Sequence, residues 1–167
     1  MRELINWLVG PKPPRTPVGE AEFWADDENP YGIHRRIATL RADPNRGMLL
    51  VYTTQLTQVT DFPGELVIVN IESGTAIRAL EAAARGVDRG RVPVAGPVRD
   101  GRDGLMGCWV RTLTPETVAH YLPELGSGGG VPVRHLVIPD REGRLPWHPD
   151  SLVQVRQQMG LDTMLQA

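Results

Sequence analysis

The hydrophobic positions of this chain fall into short continuous runs. Residues 48–53 and 65–71 are apolar and rich in β-branched side chains. Runs of this length without alternation are typical of central strands that are covered on both faces. Residues 105–113 and 131–138 are two further strand candidates. The pattern therefore predicts a sheet built on these segments.

Helical spacing marks the segment before the first run. Ile33, Ile37 and Leu40 recur at the interval that places side chains on one face of a helix. Pro44 disfavours helical backbone at the residue before it. The spacing predicts a helix over residues 32–43.

Three more helices are expected after residue 72. They cover residues 73–87, 114–125 and 152–159. Ser73 and Thr114 are capping residue types, and Pro115 stands at the favoured first helical position. Turn residues make 57–64 a loop. These elements predict a single α+β domain with a mixed, mostly antiparallel sheet covered by helices.

The amino-terminal residues follow neither pattern. Residues 1–10 hold an apolar run far shorter than the roughly 20 residues of a membrane helix. Proline and acidic residues dominate residues 11–31, and closely spaced prolines favour extended backbone without a hydrogen-bond ladder. We expect an extended arm here. Its Phe23 and Trp24 either pack on their own domain or anchor a protein partner.

The composition is that of an ordinary globular protein. Hydrophobic residues make up 41% and charged residues 23% of the chain, so neither a membrane protein nor a largely disordered one is favoured. A net charge of -2 gives no general attraction to nucleic acid or anionic membrane. The lone Cys108 excludes an intramolecular disulfide and favours a reducing, cytoplasmic compartment. The chain divides into an amino-terminal segment and arm (1–31), an α+β domain (32–150), and a carboxyl-terminal helix and tail (151–167).

Three motifs carry a family resemblance. They are Tyr-Thr-Thr-Gln-Leu at residues 52–56, Pro-Gly-Glu-Leu-Val-Ile at residues 63–68 and Pro-Asp-Arg-Glu-Gly-Arg-Leu-Pro-Trp at residues 139–147. The chain resembles a bacterial family classed as a domain of unknown function, family 4262, from about residue 33 to residue 150. Gln55 stands where that family tends to have glycine, and Gly64 interrupts its Pro-Glu pair. The resemblance implies a fold and a candidate surface, but no reaction.

The last motif supports two interpretations. As structure, Asp140 accepts backbone N–H bonds within a turn and Gly143 takes a positive φ. Trp147 then fills the edge of the core. As function, the motif forms one wall of a ligand-binding cleft. That cleft would be lined by Tyr52, Gln55, Asp140, Arg141 and Trp147.

Catalytic and metal-binding signatures do not accompany these motifs. Among the four histidines, the only close pairing with another potential ligand is that of His148 with Asp150, and the sequence has no H-E-x-x-H spacing. Cys108 lies in a strand candidate beside Gly107 and Trp109, where a cysteine usually serves as a small buried hydrophobe. We therefore expect no metal, no cofactor and no catalytic residue.

Three functions remain open. The first is a binding or interaction module that acts through a protein partner, or through self-association, by means of the arm. The second is a small-molecule hydrolase or transferase at the Tyr52, Asp140, Arg141 and Trp147 cleft. The third is nucleic-acid binding by the arginines between Arg78 and Arg102. A solvated helix face and turn is the simpler explanation of those arginines.

Overall fold

The computed structural model describes residues 20–24, 36–43, 48–54, 56–88, 90–99, 105–126 and 131–163, with the backbone alone for residues 20–24 and 36–43. The strands in these ranges are β1 (Glu20–Trp24), β2 (Arg36–Asp43), β3 (Met48–Tyr52), β4 (Glu65–Val69), β5 (Gly96–Pro97), β6 (Trp109–Thr112) and β7 (Val133–Val137). The helices are α1 (Leu56–Val59), α2 (Ser73–Asp88), α3 (Pro115–Tyr121), α4 (Pro123–Gly126), α5 (Val153–Arg156) and α6 (Gly160–Thr163), with a 3-10 turn at Gln157–Met159.

All of these strands join one sheet, in the order β1-β2-β3-β4-β7-β6-β5. Neighbouring strands are antiparallel except β4 and β7, which run parallel. The parallel pair lies in the middle of the sheet, and α2, β5, β6, α3 and α4 intervene in sequence between its two strands. A connection of this length is what a parallel pair requires. The α+β class and the mixed, mostly antiparallel sheet predicted from the sequence are confirmed.

Both faces of the central strands are covered, as their continuous apolar sequences predict. One face packs beneath α2 and carries Val51, Leu66, Ile68, Val110, Leu136 and Ile138. The opposite face carries Leu50, Tyr52, Val67, Val69 and Val133, packed against Val118 of α3, Leu161 of α6 and Leu122, which lies between α3 and α4. Every residue of β4 is buried. The helices that directly follow the two parallel strands lie on different sides of the sheet: α2 follows β4, and α6, after α5, follows β7.

The helix predicted over residues 32–43 is wrong where the structure describes it. Residues 36–43 form β2, which pairs with β3 from Thr39↔Tyr52 to Asp43↔Met48. β1 pairs with β2 on its other side, so β2 has a hydrogen-bonded strand on each side. This pairing outweighs the helical spacing of its apolar residues. Residues 20–24 of the predicted arm are extended, but they join the sheet ladder instead of lacking one. Prolines are absent from that stretch.

The loop predicted at residues 57–64 begins as the short helix α1. The buried carboxylate of Glu65 holds this turn. Its Oε2 accepts hydrogen bonds from the Leu56 N–H at 3.1 Å and from the Thr53 hydroxyl, and its Oε1 accepts one from the Thr57 hydroxyl at 3.3 Å. Burial raises the pKa of Glu65, and these hydrogen bonds oppose the rise.

Gly64, which departs from the family pattern, occupies a position that requires glycine. Its φ is +142°, and a Cβ atom built there would lie 2.4 Å from the carbonyl oxygen of Pro132. That oxygen also accepts the Glu65 N–H at 2.9 Å. The close approach at Gly64 therefore fixes the entry to β4 beside the entry to β7.

The other predicted helices are confirmed in type. Thr114 caps α3 by accepting the Thr117 N–H at 3.2 Å, and Pro115 is the first helical residue. The final helix is divided into α5, the 3-10 turn and α6, and it continues to Thr163.

Candidate ligand-binding site

The parallel strands β4 and β7 create a crevice at their carboxyl ends. The chain leaves β4 toward α2 on one face of the sheet, and it leaves β7 toward α5 and α6 on the other. Adjacent parallel strands whose connections diverge in this way leave an opening between them, and ligands of open α/β sheets bind there. The topology alone therefore marks this edge of the sheet.

A pocket of about 600 Å³ occupies that crevice. It is lined by Asn70, Ile71, Glu72, Thr75, Ile138, Pro139, Asp140, Arg141, Glu142, Leu152, Gln154, Val155 and Gln157. Aliphatic side chains and a proline form much of the wall, and carboxylates, amides and one guanidinium stand among them. This volume and mixture are those of a small-molecule site.

Asn70 closes the pocket at the end of β4. Its φ of +54° is the left-handed conformation that asparagine tolerates better than most residues. Its Oδ1 accepts the Leu49 N–H at 2.9 Å, and its Nδ2 donates to the carbonyl of Gln157 at 2.8 Å. Asn70 thus ties the end of β4 both to β3 and to the 3-10 turn.

Gln158 fixes the same turn to the end of β7. Its side chain is fully buried. The Oε1 accepts the Ile138 N–H at 2.8 Å, and the Nε2 donates to the carbonyls of Ile138 at 2.7 Å and Val155 at 3.1 Å. A buried amide with these partners holds two walls of the pocket at a fixed separation.

Glu72 caps α2 at the pocket, rather than Ser73 as the sequence predicted. Its carboxylate accepts the N–H groups of Gly74 at 3.0 Å and Thr75 at 2.9 Å, and the Thr75 hydroxyl at 3.0 Å. Burial acts to raise the pKa of Glu72, but these bonds and the nearby Arg78 lower it overall. The positive end of the helix is therefore already neutralised by the protein itself.

The side chain of Asp140 accepts hydrogen bonds within its own turn, as the structural interpretation of the motif predicted. Its Oδ1 accepts the N–H groups of Glu142 at 3.0 Å and Arg144 at 2.9 Å, and its Oδ2 accepts Arg144 Nε at 2.9 Å. Gly143 has a φ of +78°. Burial acts to raise the pKa of Asp140, but its hydrogen bonds to Arg144 and Glu142 outweigh it and lower the pKa. The guanidinium of Arg144 also pairs with Glu142.

The predicted cleft residues do not all meet. Asp140 and Arg141 line the pocket, whereas Tyr52 and Trp147 do not. Trp147 is half exposed and packs edge-to-face on Trp109, with ring centroids 5.8 Å apart. Gln55 lies outside the described residues.

Tyr52 is buried on the sheet face that α3 and α6 cover. It pairs with Val67, which pairs with His135, whereas Asp140 follows the carboxyl end of β7. Asp140 lies five residues beyond His135, so at about 3.3 Å per extended residue the backbone between them spans up to roughly 16 Å. The structure does not bring Tyr52 to the Asp140 turn.

The other sequence candidates lie away from the pocket or outside the description. Phe23 and Trp24 belong to β1, where the backbone alone is described. Arg78 and Arg85 are half-buried on α2, while Arg89 and Arg102 fall outside the described residues. Cys108 is buried, and burial raises the pKa of its thiol to about 12, in agreement with a structural role.

A polar pair with one buried member, which the sequence did not reveal, lies between β6 and β7. His135 is fully buried, and its Nδ1 accepts a hydrogen bond from Arg111 Nε at 3.0 Å across the Arg111↔His135 register pair. Burial first, and the positive charge of Arg111 second, lower the pKa of His135 to about 3. The imidazole is therefore neutral at physiological pH, with its proton on Nε2.

The fold and the pocket together define an α+β domain with an open mixed sheet and a small-molecule-sized site at its parallel pair. The family model described as "Domain of unknown function (DUF4262)" matches residues 34–152, and the chain belongs to that family. The resemblance predicted from the motifs is confirmed. No curated protein and no solved structure matches the chain.

Within the described residues, histidine, cysteine and carboxylate side chains form no group of three or more that could hold a metal ion. None of the helices described has both the length and the apolar character needed to cross a bilayer.

Proposed function

We propose that this domain binds a small molecule in the pocket at the carboxyl ends of β4 and β7. The observation that carries the proposal is the pocket itself, a space of about 600 Å³ at the point where the connections of two parallel strands diverge. Its apolar surfaces, including Ile71, Ile138 and Val155, favour a ligand with a hydrophobic body.

The state of two pocket carboxylates, Glu72 and Asp140, supports binding rather than acid–base chemistry at these groups. Glu72 and Asp140 accept hydrogen bonds from backbone N–H groups, and both have a lowered pKa. An efficient general base or acid has a pKa near the working pH. These two carboxylates are ionised at neutral pH and are occupied in holding the pocket walls.

The proposal predicts that a bulky side chain at residue 154 obstructs binding. Gln154 is exposed and lines the pocket, so Gln154→Trp places an indole against the ligand space. The full-length chain should bind 1-hexanol, a neutral apolar probe, with a Kd of about 1 mM. In the variant the Kd should rise at least about tenfold. Titration followed by amide chemical shifts measures both values.

The adjacent Val153 provides a matched control. It is 67% exposed and does not line the pocket, so Val153→Trp adds the same indole to the same helix while leaving the pocket open. This variant should bind 1-hexanol as the parent chain does. Equal weakening by both substitutions, or by neither, would show that the probe does not occupy this pocket.

A protein partner bound through the arm is a second proposal, supported by the position of β1 at the edge of the sheet. Edge strands expose unpaired backbone groups to which another chain can add. Because β1 belongs to the sheet, deletion of the arm would remove a strand. The sharper test replaces Phe23 and Trp24 with serine in the full chain and compares the co-purifying proteins and the oligomeric state. If neither changes while the domain stays folded, these two residues do not hold a partner.

A further inference from the structure

Arg141 differs from the other charged groups around the pocket. It is exposed and lines the pocket, and in the described part of the chain it makes no ion pair or side-chain hydrogen bond. A guanidinium is charged at every physiological pH and presents several N–H donors in one plane. It is therefore able to pair with an anion that enters the pocket.

The acidic groups of the pocket are already engaged with other partners. Asp140 and Glu142 share the guanidinium of Arg144, with a distance of 2.9 Å from Arg144 Nε to Asp140 Oδ2. Glu72 accepts the N–H groups at the start of α2 and lies near Arg78. Each carboxylate thus has a positive neighbour within the protein. Arg141 is the charge that remains available to a ligand.

The hydrophobic part of the same pocket lies next to this guanidinium in sequence and in space. Ile138 and Pro139 immediately precede the Asp140 turn, and Leu152 and Val155 line the same pocket. A ligand that satisfies both surfaces has an apolar body and one negative group. A carboxylate matches the planar guanidinium with two parallel hydrogen bonds.

We infer that the pocket takes a small amphipathic carboxylate, with the apolar body between β4 and β7 and the anionic group on Arg141. This inference rests on the proposed function and specifies the chemical class of the ligand. Arg141 is then a specificity residue: it selects the anion, while the apolar walls supply the contact area.

The test compares three probes of equal chain length on the full-length protein: hexanoate, 1-hexanol and hexylamine. Hexanoate should bind about fivefold more tightly than 1-hexanol because of one partly exposed ion pair, and hexylamine should bind most weakly. Arg141→Gln should remove the advantage of hexanoate, measured as the ratio of the Kd of 1-hexanol to the Kd of hexanoate. Titrations at low and high salt should show that the advantage falls as salt is added.

Arg99 offers the matched control, since it is exposed, lies outside the pocket and carries the same charge. Arg99→Gln should preserve the order of the three probes. If 1-hexanol binds and hexanoate binds no better, or if Arg141→Gln leaves the advantage intact, the inference is wrong and the pocket proposal stands. If none of the three probes binds, the proposed function is wrong together with the inference.

Discussion

Replacement of Asp140 by alanine is expected to lower the free energy of unfolding by about 2–4 kcal/mol. The carboxylate is buried and accepts three hydrogen bonds, one of them from the Arg144 guanidinium. Its removal leaves the Glu142 and Arg144 N–H groups without that acceptor and frees the turn that forms one wall of the pocket. Urea unfolding measures the loss, and the affinity for 1-hexanol should fall with it.

Glu142 provides the comparison within the same turn. Its carboxylate also pairs with Arg144, but its side chain is 62% exposed. Solvent screens such a pair, so Glu142→Ala should cost much less stability than Asp140→Ala. Similar losses in the two variants would contradict the view that the buried hydrogen bonds of Asp140 hold the turn.

The second large expected effect is a loss of folding stability at acidic pH, caused by the buried His135. The pKa of His135 is lowered from 6.5 to about 3 in the folded chain, first by burial and then by Arg111. In the unfolded chain the imidazole binds a proton near its ordinary pKa, so the unfolded state binds more protons between these two values. Stability is therefore lost as the pH falls through this window. From about pH 7 to about pH 5 the loss should be on the order of 2 kcal/mol.

Substitution of His135 isolates this contribution. Glu65, whose pKa is raised by burial, acts in the opposite direction, because a raised pKa makes the folded state bind protons more readily than the unfolded state. The comparison is therefore made between the slopes of stability against pH in the parent and in His135→Gln. The variant should lose most of the slope, whereas His120→Gln, at an exposed position on α3, should keep it. An unchanged slope in His135→Gln would mean that the buried imidazole takes up a proton without cost.

The sequence predicted the central strands well because a strand that is buried on both faces has a continuous run of apolar residues. β4 is buried at every position, and its alternating side chains serve the two cores on opposite faces. The helix prediction was wrong over residues 36–43 because the spacing of Ile37 and Leu40 suits a helix as readily as a strand. Pairing with β1 and β3 decided between them, and such pairing is not visible in a local window. The turn-forming Asp43-Pro44-Asn45 before β3 was the available hairpin signal.

The sequence predicted only some of the pocket residues, for a similar reason. Asp140 and Arg141 were identified from their own turn chemistry, which depends on neighbouring residues. Asn70 and Gln157 were missed because they join the site only through the parallel pairing of β4 with β7, strands far apart in the chain. Glu72 was within reach, since a carboxylate just before a helix is a recognised capping signal. Ser73 is a more common capping residue, so the sequence favours it over Glu72.

The most direct test of a ligand site at the parallel pair is an amide chemical-shift map of the full-length chain titrated with 1-hexanol. The perturbed amides are expected to cluster at the lining segments 70–75, 138–142 and 152–157. Perturbations centred instead on Tyr52 and His135, or none at saturating probe, would contradict a ligand site at the parallel pair.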